Sequence, residues 1–147
     1  MPVVVTGADR PLGRALVRHL AAAGVPDLRA VVRDPHRAAP LRAVGARVSV
    51  GDLSDPLRLG AVLEGAYTVV HLDTGPDGGG SPLDTWDWLL DAAEDTGLRR
   101  IVTVLPPGTA APESPYETVV VPAPDTASDA DPDPALVAAL AAADRRG

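Results

Sequence analysis

The chain has 147 residues, 46% of them hydrophobic, with no Cys and a net charge of −7. That length suits one domain with a core of its own. The missing Cys excludes disulfides, thiolate zinc sites and a Cys nucleophile. All 13 basic residues are Arg, so Schiff-base and Lys-assisted acid chemistry are excluded too. The acidic balance argues against non-specific nucleic-acid binding. Phe is absent and aromatics are only 3%, which predicts an aliphatic core of the kind found in a buried parallel sheet. No leader pattern and no long apolar run stands out, so a cytoplasmic protein without a membrane span is expected.

Val3–Val5 is a β-branched run that stops at Thr6-Gly7. The period then changes: Leu12, Ala15, Leu16, His19, Leu20 and Ala23 recur at helical spacing, and Gly24 stops the helix. Leu28–Val32 is a second strand, residues 37–44 a short helix and residues 46–50 a third strand. Ser54 or Asp55 caps the next helix, with Pro56 in its first turn and Gly65 at its end. Thr68–Leu72 is a fourth strand, followed by a Gly-rich loop over residues 73–81. Ser81 caps a further helix with Trp86, Leu89, Leu90 and Ala93 on its buried face and Gly97 as its stop. Arg100–Leu105 is a fifth strand and Thr118–Val121 a sixth, joined by a Pro-containing connection. Strands alternating with helices at short spacing predict βαβ units, hence an α/β doubly wound parallel sheet of Rossmann type with about six strands in three layers. The expected organisation is a Rossmann domain over 1–121, an acidic Pro-rich linker over 122–134 and a C-terminal helix over 135–147.

The most informative segment is Thr6-Gly7-Ala8-Asp9-Arg10-Pro11-Leu12-Gly13 between the first strand and the first helix. A helix N-terminus presents outward backbone N–H groups and partial positive charge, which suits a pyrophosphate if the turn is tight and bare. This stretch resembles the short-chain dehydrogenase/reductase superfamily, in its atypical or extended branch (NmrA-like or epimerase-like). Thr6, Gly7 and Gly13 match that family's glycine motif, while its middle glycine is replaced by Arg10 or Pro11, according to which form is aligned. Gly51-Asp52-Leu53 looks like the family's adenine-side step after the third strand. Asp73-Thr74-Gly75, after the fourth strand, corresponds to its nicotinamide-side loop, where relatives usually carry small residues. The resemblance covers about residues 1–110. It implies a dinucleotide held by Gly7, Asp9, Arg10, Pro11, Leu12, Gly13, Arg33, Asp52, Leu53, Asp73, Thr74 and Gly75. NAD-selective Rossmann domains place an acid at the end of the second strand. Arg33 stands there, with Arg37 one turn on and Arg10 in the glycine turn, so NADP(H) is expected over NAD(H).

Carbonyl-reducing relatives use a Tyr with a Lys four residues later, and a Ser after the fifth strand. Here Val120 follows Tyr116 at that spacing, and Leu105-Pro106-Pro107-Gly108 carries no Ser. The segment around Tyr116 resembles the sixth strand instead, which implies that the helix usually lying between strands five and six is missing. Two functions follow from the resemblance: an atypical NADPH-dependent oxidoreductase without the Tyr–Lys pair, or a non-catalytic NAD(P)-sensing or protein-binding regulator of the same fold. A chain that kept the fold and lost the ligand is a third. His19, His36 and His71 share no ligand spacing, so no metal site is expected, and His71 reads as a strand residue with a satisfied hydrogen bond. Asp84, Asp87, Asp91, Glu94 and Asp95 read as a solvated acidic helix face. Trp86 and Trp88 point apart on that helix. Trp88 either covers a helix edge or meets a second subunit, since the corresponding helix makes dimer contacts in extended relatives.

Overall fold

The computed structural model describes residues 2–51, 54–74, 81–122 and 134–145. Strands β1 (Val3–Thr6), β2 (Leu28–Val32), β3 (Arg47–Val50), β4 (Thr68–His71), β5 (Arg100–Leu105) and β6 (Glu117–Pro122) form one sheet in the order β3-β2-β1-β4-β5-β6. Every pairing is parallel. This is the doubly wound arrangement, with the order reversing between β1 and β4. The helices are α1 (Pro11–Ala22), α2 (Ala38–Ala43), α3 (Pro56–Leu63), α4 (Trp86–Ala93) and α5 (Pro134–Arg145).

Period-two alternation along the strands builds two cores. Val3, Val5, Ala30, Val32, Val70 and Val102 face α1, α2 and α5, where Leu16, Leu20, Leu41 and Leu140 complete the larger cluster. Val4, Val31, Val69 and Ile101 face the opposite side and pack with Leu59, Leu63, Trp86 and Leu89 of α3 and α4. Truncating any of these fully buried leucines to Ala costs about 2–5 kcal/mol.

Local chemistry sets the ends. Asp55 caps α3 by accepting from the Arg58 N–H at 3.3 Å. Ser81 and Asp84 form a reciprocal capping box, so one residue of the acidic face has a structural task. The turn behind Ser81 is a 3₁₀ helix over Pro82–Thr85 that leads into α4, and α4 stops at Ala93, short of Gly97. Asp95 (φ 61°) and Gly97 (φ 86°) then reverse the chain in the left-handed region.

Between β5 and β6 the chain crosses without a helix over Pro106–Tyr116. The Trp86 indole N–H donates to the Glu113 carbonyl at 3.2 Å and ties this crossover to α4. Beyond β6, α5 lies against α1 and β5 and contributes Leu136, Val137, Leu140 and Ala141 to the larger core. Arg100, 2% exposed, fastens it: Nη1 donates to the Ala143 carbonyl at 3.1 Å, and Nε donates to Glu117 Oε2 at 3.0 Å.

Candidate functional site

The carboxyl ends of β2, β1 and β4 lie side by side where the strand order reverses, which is where open α/β sheets bind ligands. The glycine turn fills the centre. Gly7 has φ 66°, and a Cβ on it would stand 2.8 Å from the Asp73 nitrogen. A Cβ on Gly13 would stand 2.3 Å from the Gly7 carbonyl oxygen and 2.7 Å from Ala8 Cα. Both glycines are therefore dictated by backbone packing, and α1 starts hard against the turn. Arg10 is its N-cap residue but supplies no side-chain cap, Pro11 takes a first-turn position that needs no donor, and no acid occupies the first turn. The result is a 12-residue helix whose positive end is not occupied by its own acidic side chains.

The flanks of the turn are polar. Asp9 Oδ2 accepts from the backbone N–H of Arg33 at 2.9 Å and of Asp34 at 3.3 Å, so the turn holds the end of β2. Arg14 Nη1 donates to the Asp9 carbonyl at 2.6 Å. Its guanidinium is destabilised by burial first, and then by the charges of Arg37 and Arg18. Arg14 was not singled out by the motif, because nothing in its spacing announces a tertiary contact. Arg10 Nη1 donates to Thr74 Oγ1, linking the turn to the β4 loop. Arg33 reaches across to the same loop: Nε and Nη2 donate to the two carboxylate oxygens of Asp73, each at 2.9 Å. The Asp73 side chain is 4% exposed and that of Arg33 18%. Breaking such a pair from one side typically costs about 3–5 kcal/mol. Of the residues implied by the resemblance, Gly7, Asp9, Arg10, Pro11, Leu12, Gly13, Arg33, Asp73 and Thr74 belong to this region of the turn and the adjoining strand ends. Asp52, Leu53 and Gly75 lie outside the described residues.

Beneath the β4 loop runs a buried relay. Thr6 Oγ1 accepts the N–H of Leu72 at 3.1 Å and of Asp73 at 3.3 Å. Its own proton therefore goes to His71 Nδ1, 2.8 Å away. His71 then carries its ring proton on Nε2, facing Thr85 Oγ1 at 2.8 Å and the Pro82 carbonyl at 3.1 Å. The Thr85 hydroxyl donates onward to the Asp73 carbonyl at 2.9 Å. Burial pushes the His71 imidazole down to about 4, outweighing the opposing pull of Asp73 and the Pro82 hydrogen bond. His71 is thus a neutral strut that, through Thr6 and Thr85, seats Leu72 and Asp73, in line with its reading as a satisfied strand histidine.

Tyr116 lies elsewhere, on the α4 side of the sheet. Burial, and then the carboxylates of Glu94 and Asp95, push its phenol up from its ordinary value. That is the opposite of what a proton-donating tyrosine needs near neutrality. A cavity of about 780 Å³ between β3 and α3 shares no residue with the turn. Two of its three arginines are held by backbone carbonyls: Arg29 donates to the Val62 and Glu64 carbonyls at 2.7 Å, and Arg58 to the Val50 carbonyl at 2.7 Å, while Arg47 pairs with Asp27 at 3.0 Å.

Residues 7–143 match the family described as NAD(P)H-binding. The chain belongs to this NAD(P)H-binding family. Its structural neighbours fall in the NmrA-like and epimerase-like branch of the short-chain dehydrogenase/reductase superfamily. The chain is 37% identical over 107 residues to High Chlorophyll Fluorescence Phenotype 244, a chloroplastic protein of Arabidopsis thaliana, a match covering 68% of this chain and 26% of that one. It resembles the Citrobacter triphenylmethane reductase complexed with NADP(H) at 28% identity and a TM-score of 0.57, covering 71% of this chain and 37% of that one. It also resembles the NADPH-dependent quinone oxidoreductase of Escherichia coli, complexed with NADPH, at 26% identity and a TM-score of 0.59, covering 71% and 36%. The NAD(P)H-binding chain thus spans about a quarter to just over a third of the length of these relatives. No helix among its described residues is long and apolar enough to cross a membrane.

Proposed function

We propose that this NAD(P)H-binding chain holds its dinucleotide across the glycine turn, favours NADP(H), and serves as the cofactor-binding part of an atypical oxidoreductase. The observation that carries the reading is the packing of Gly13 onto Gly7 at the strand-order reversal, where α1 begins with no side-chain cap and no acid in its first turn. The N–H groups of Leu12 and Gly13 face the pyrophosphate, Arg33 lines the adenosine side, and Asp73 and Thr74 line the nicotinamide side. Arg37 lies just beyond β2 and Arg10 reaches the β4 loop, and their positive charge favours the extra phosphate of NADP(H). The bound nicotinamide supplies the hydride, and the protein's part is to orient it.

The missing Lys and the crossover without a helix between β5 and β6 support a second reading, in which the chain binds the dinucleotide without turning over a substrate and acts as a sensor or regulator. Trp88 on α4 is 39% exposed, and a second copy is proposed to sit against it.

Calorimetric titration with NADPH and NADH tests the shared premise. Binding of NADPH at micromolar levels, with weaker NADH, supports it; no binding of either at millimolar levels overturns it. Turnover of NADPH with quinones, flavins or small carbonyls then separates the oxidoreductase from the sensor. Tyr116→Phe is expected to leave any such turnover intact.

A further inference from the structure

Arg33 directly follows β2 and Asp73 lies two residues beyond β4, the two strands that flank β1. Val32 and Leu72, the residues before them, both face the larger core. Beyond them the Arg33 guanidinium and the Asp73 carboxylate meet across the end of β1. Both ends of Arg33 are held. Its backbone N–H is fixed by Asp9 Oδ2 at 2.9 Å, and its Nε and Nη2 by the two Asp73 oxygens at 2.9 Å each. The Nε–Nη2 edge is one of the two edges through which a guanidinium grips a phosphate with parallel hydrogen bonds. Here that edge is given to a carboxylate whose side chain is 4% exposed. Turning Arg33 toward a 2′-phosphate would strip a nearly buried carboxylate of its bidentate partner, which opposes the movement.

We infer that Asp73 is a positioning residue that sets cofactor preference: it holds the Arg33 guanidinium on its own carboxylate and withholds it from the 2′-phosphate of NADP(H). The inference rests on the dinucleotide reading above and deepens it. The preference for NADP(H) then comes from the charges of Arg10 and Arg37, because Asp73 offsets that of Arg33, and it is smaller than three arginines could deliver. Asp73 also sets a negative charge beside the bound phosphates, which weakens both cofactors, whereas its grip on Arg33 bears on the 2′-phosphate alone.

The test is the ratio of NADPH to NADH affinity, measured by calorimetry on the whole chain and repeated with 2′,5′-ADP against 5′-AMP. A residue with a merely structural role would move both ligands together. Asp73→Asn keeps the shape and loses the charge, and Asp73→Ala removes the acceptor. Each is expected to raise the ratio about tenfold or more, as a charge-assisted contact to phosphate becomes available. The double variant Arg33→Ala/Asp73→Ala is expected to lose that gain. Arg33→Ala alone is expected to weaken both cofactors while changing the ratio less than about threefold. Two outcomes overturn the inference while leaving the dinucleotide reading in place: an unchanged or lower ratio in the Asp73 variants, or a fall of about tenfold or more in Arg33→Ala. Arg33→Ala/Asp73→Ala, which leaves neither charge buried and unpaired, decides the matter if a single variant does not fold: a ratio about tenfold below that of the wild type overturns the inference. If folded wild-type protein binds neither cofactor, the dinucleotide reading itself fails, and this inference with it.

Discussion

Gly13 lies so close to Gly7 that a methyl group on its Cα would stand 2.3 Å from the Gly7 carbonyl oxygen. The contact is backbone against backbone, so no side-chain rearrangement relieves it. Gly13→Ala is therefore expected to destabilise the fold by about 2 kcal/mol or more, although Ala is the better helix former. It should also push α1 off the turn and abolish dinucleotide binding. Urea melts and calorimetry check both. Wild-type stability together with wild-type binding would show that the helix does not need this approach.

Pro11 stands at the first turn of α1, in the region of the family's middle glycine, and brings no N–H. Pro11→Gly restores that donor at the pyrophosphate. It is expected to tighten NADPH and NADH alike by about threefold to tenfold, the worth of one added hydrogen bond. Unchanged titrations would mean that the amide of residue 11 does not meet the phosphates.

His71 couples the fold to acid. Its folded value is about 4, against 6.5 for the ordinary imidazole. Over that window the unfolded chain binds the proton and the folded one does not, so stability falls as pH drops from about 6.5 to 4. The full effect of this one group is roughly 3 kcal/mol. His71→Leu carries no such proton. Its denaturation midpoint should lie below that of the wild type at pH 7, and its stability should change less between pH 6.5 and 5, where few carboxylates titrate. Parallel curves for the two proteins over that interval would refute the assignment.

Arg100 clamps α5 through the Ala143 carbonyl, pairs with Glu117 and lies 5.7 Å from the centre of the Tyr67 ring. Glu117 is more than half exposed, so the ion pair itself contributes little. The buried hydrogen bond and the packing contribute more. Arg100→Leu is expected to cost about 1–3 kcal/mol and to raise amide exchange selectively in α5. Uniform exchange changes across the sheet would argue that α5 is held by its leucines alone.

Much of this molecule is legible in the chain because the relevant physics is local. Alternation in Val3–Val5, the three- and four-residue steps from Leu12 to Leu20, the glycine stops and the Ser81 cap each act within a few residues, and each element they predict is present. The Rossmann order follows from alternating strands and helices through the handedness of crossovers. The glycine turn is legible for a similar reason, since a missing Cβ records a close backbone approach.

Tertiary structure alone decided the rest. Arg33 reads as a phosphate ligand by its place after β2, yet 40 residues separate it from the Asp73 carboxylate that takes its fork. Arg14, Thr6 and Thr85 join the site region or the relay beneath it through contacts with no sequence period. The docking of α5 depends on Arg100, which looks like any surface arginine until the sheet closes around it. Local order is written in neighbouring residues. A charge acquires its role only when the sheet brings distant strand ends together and removes them from water.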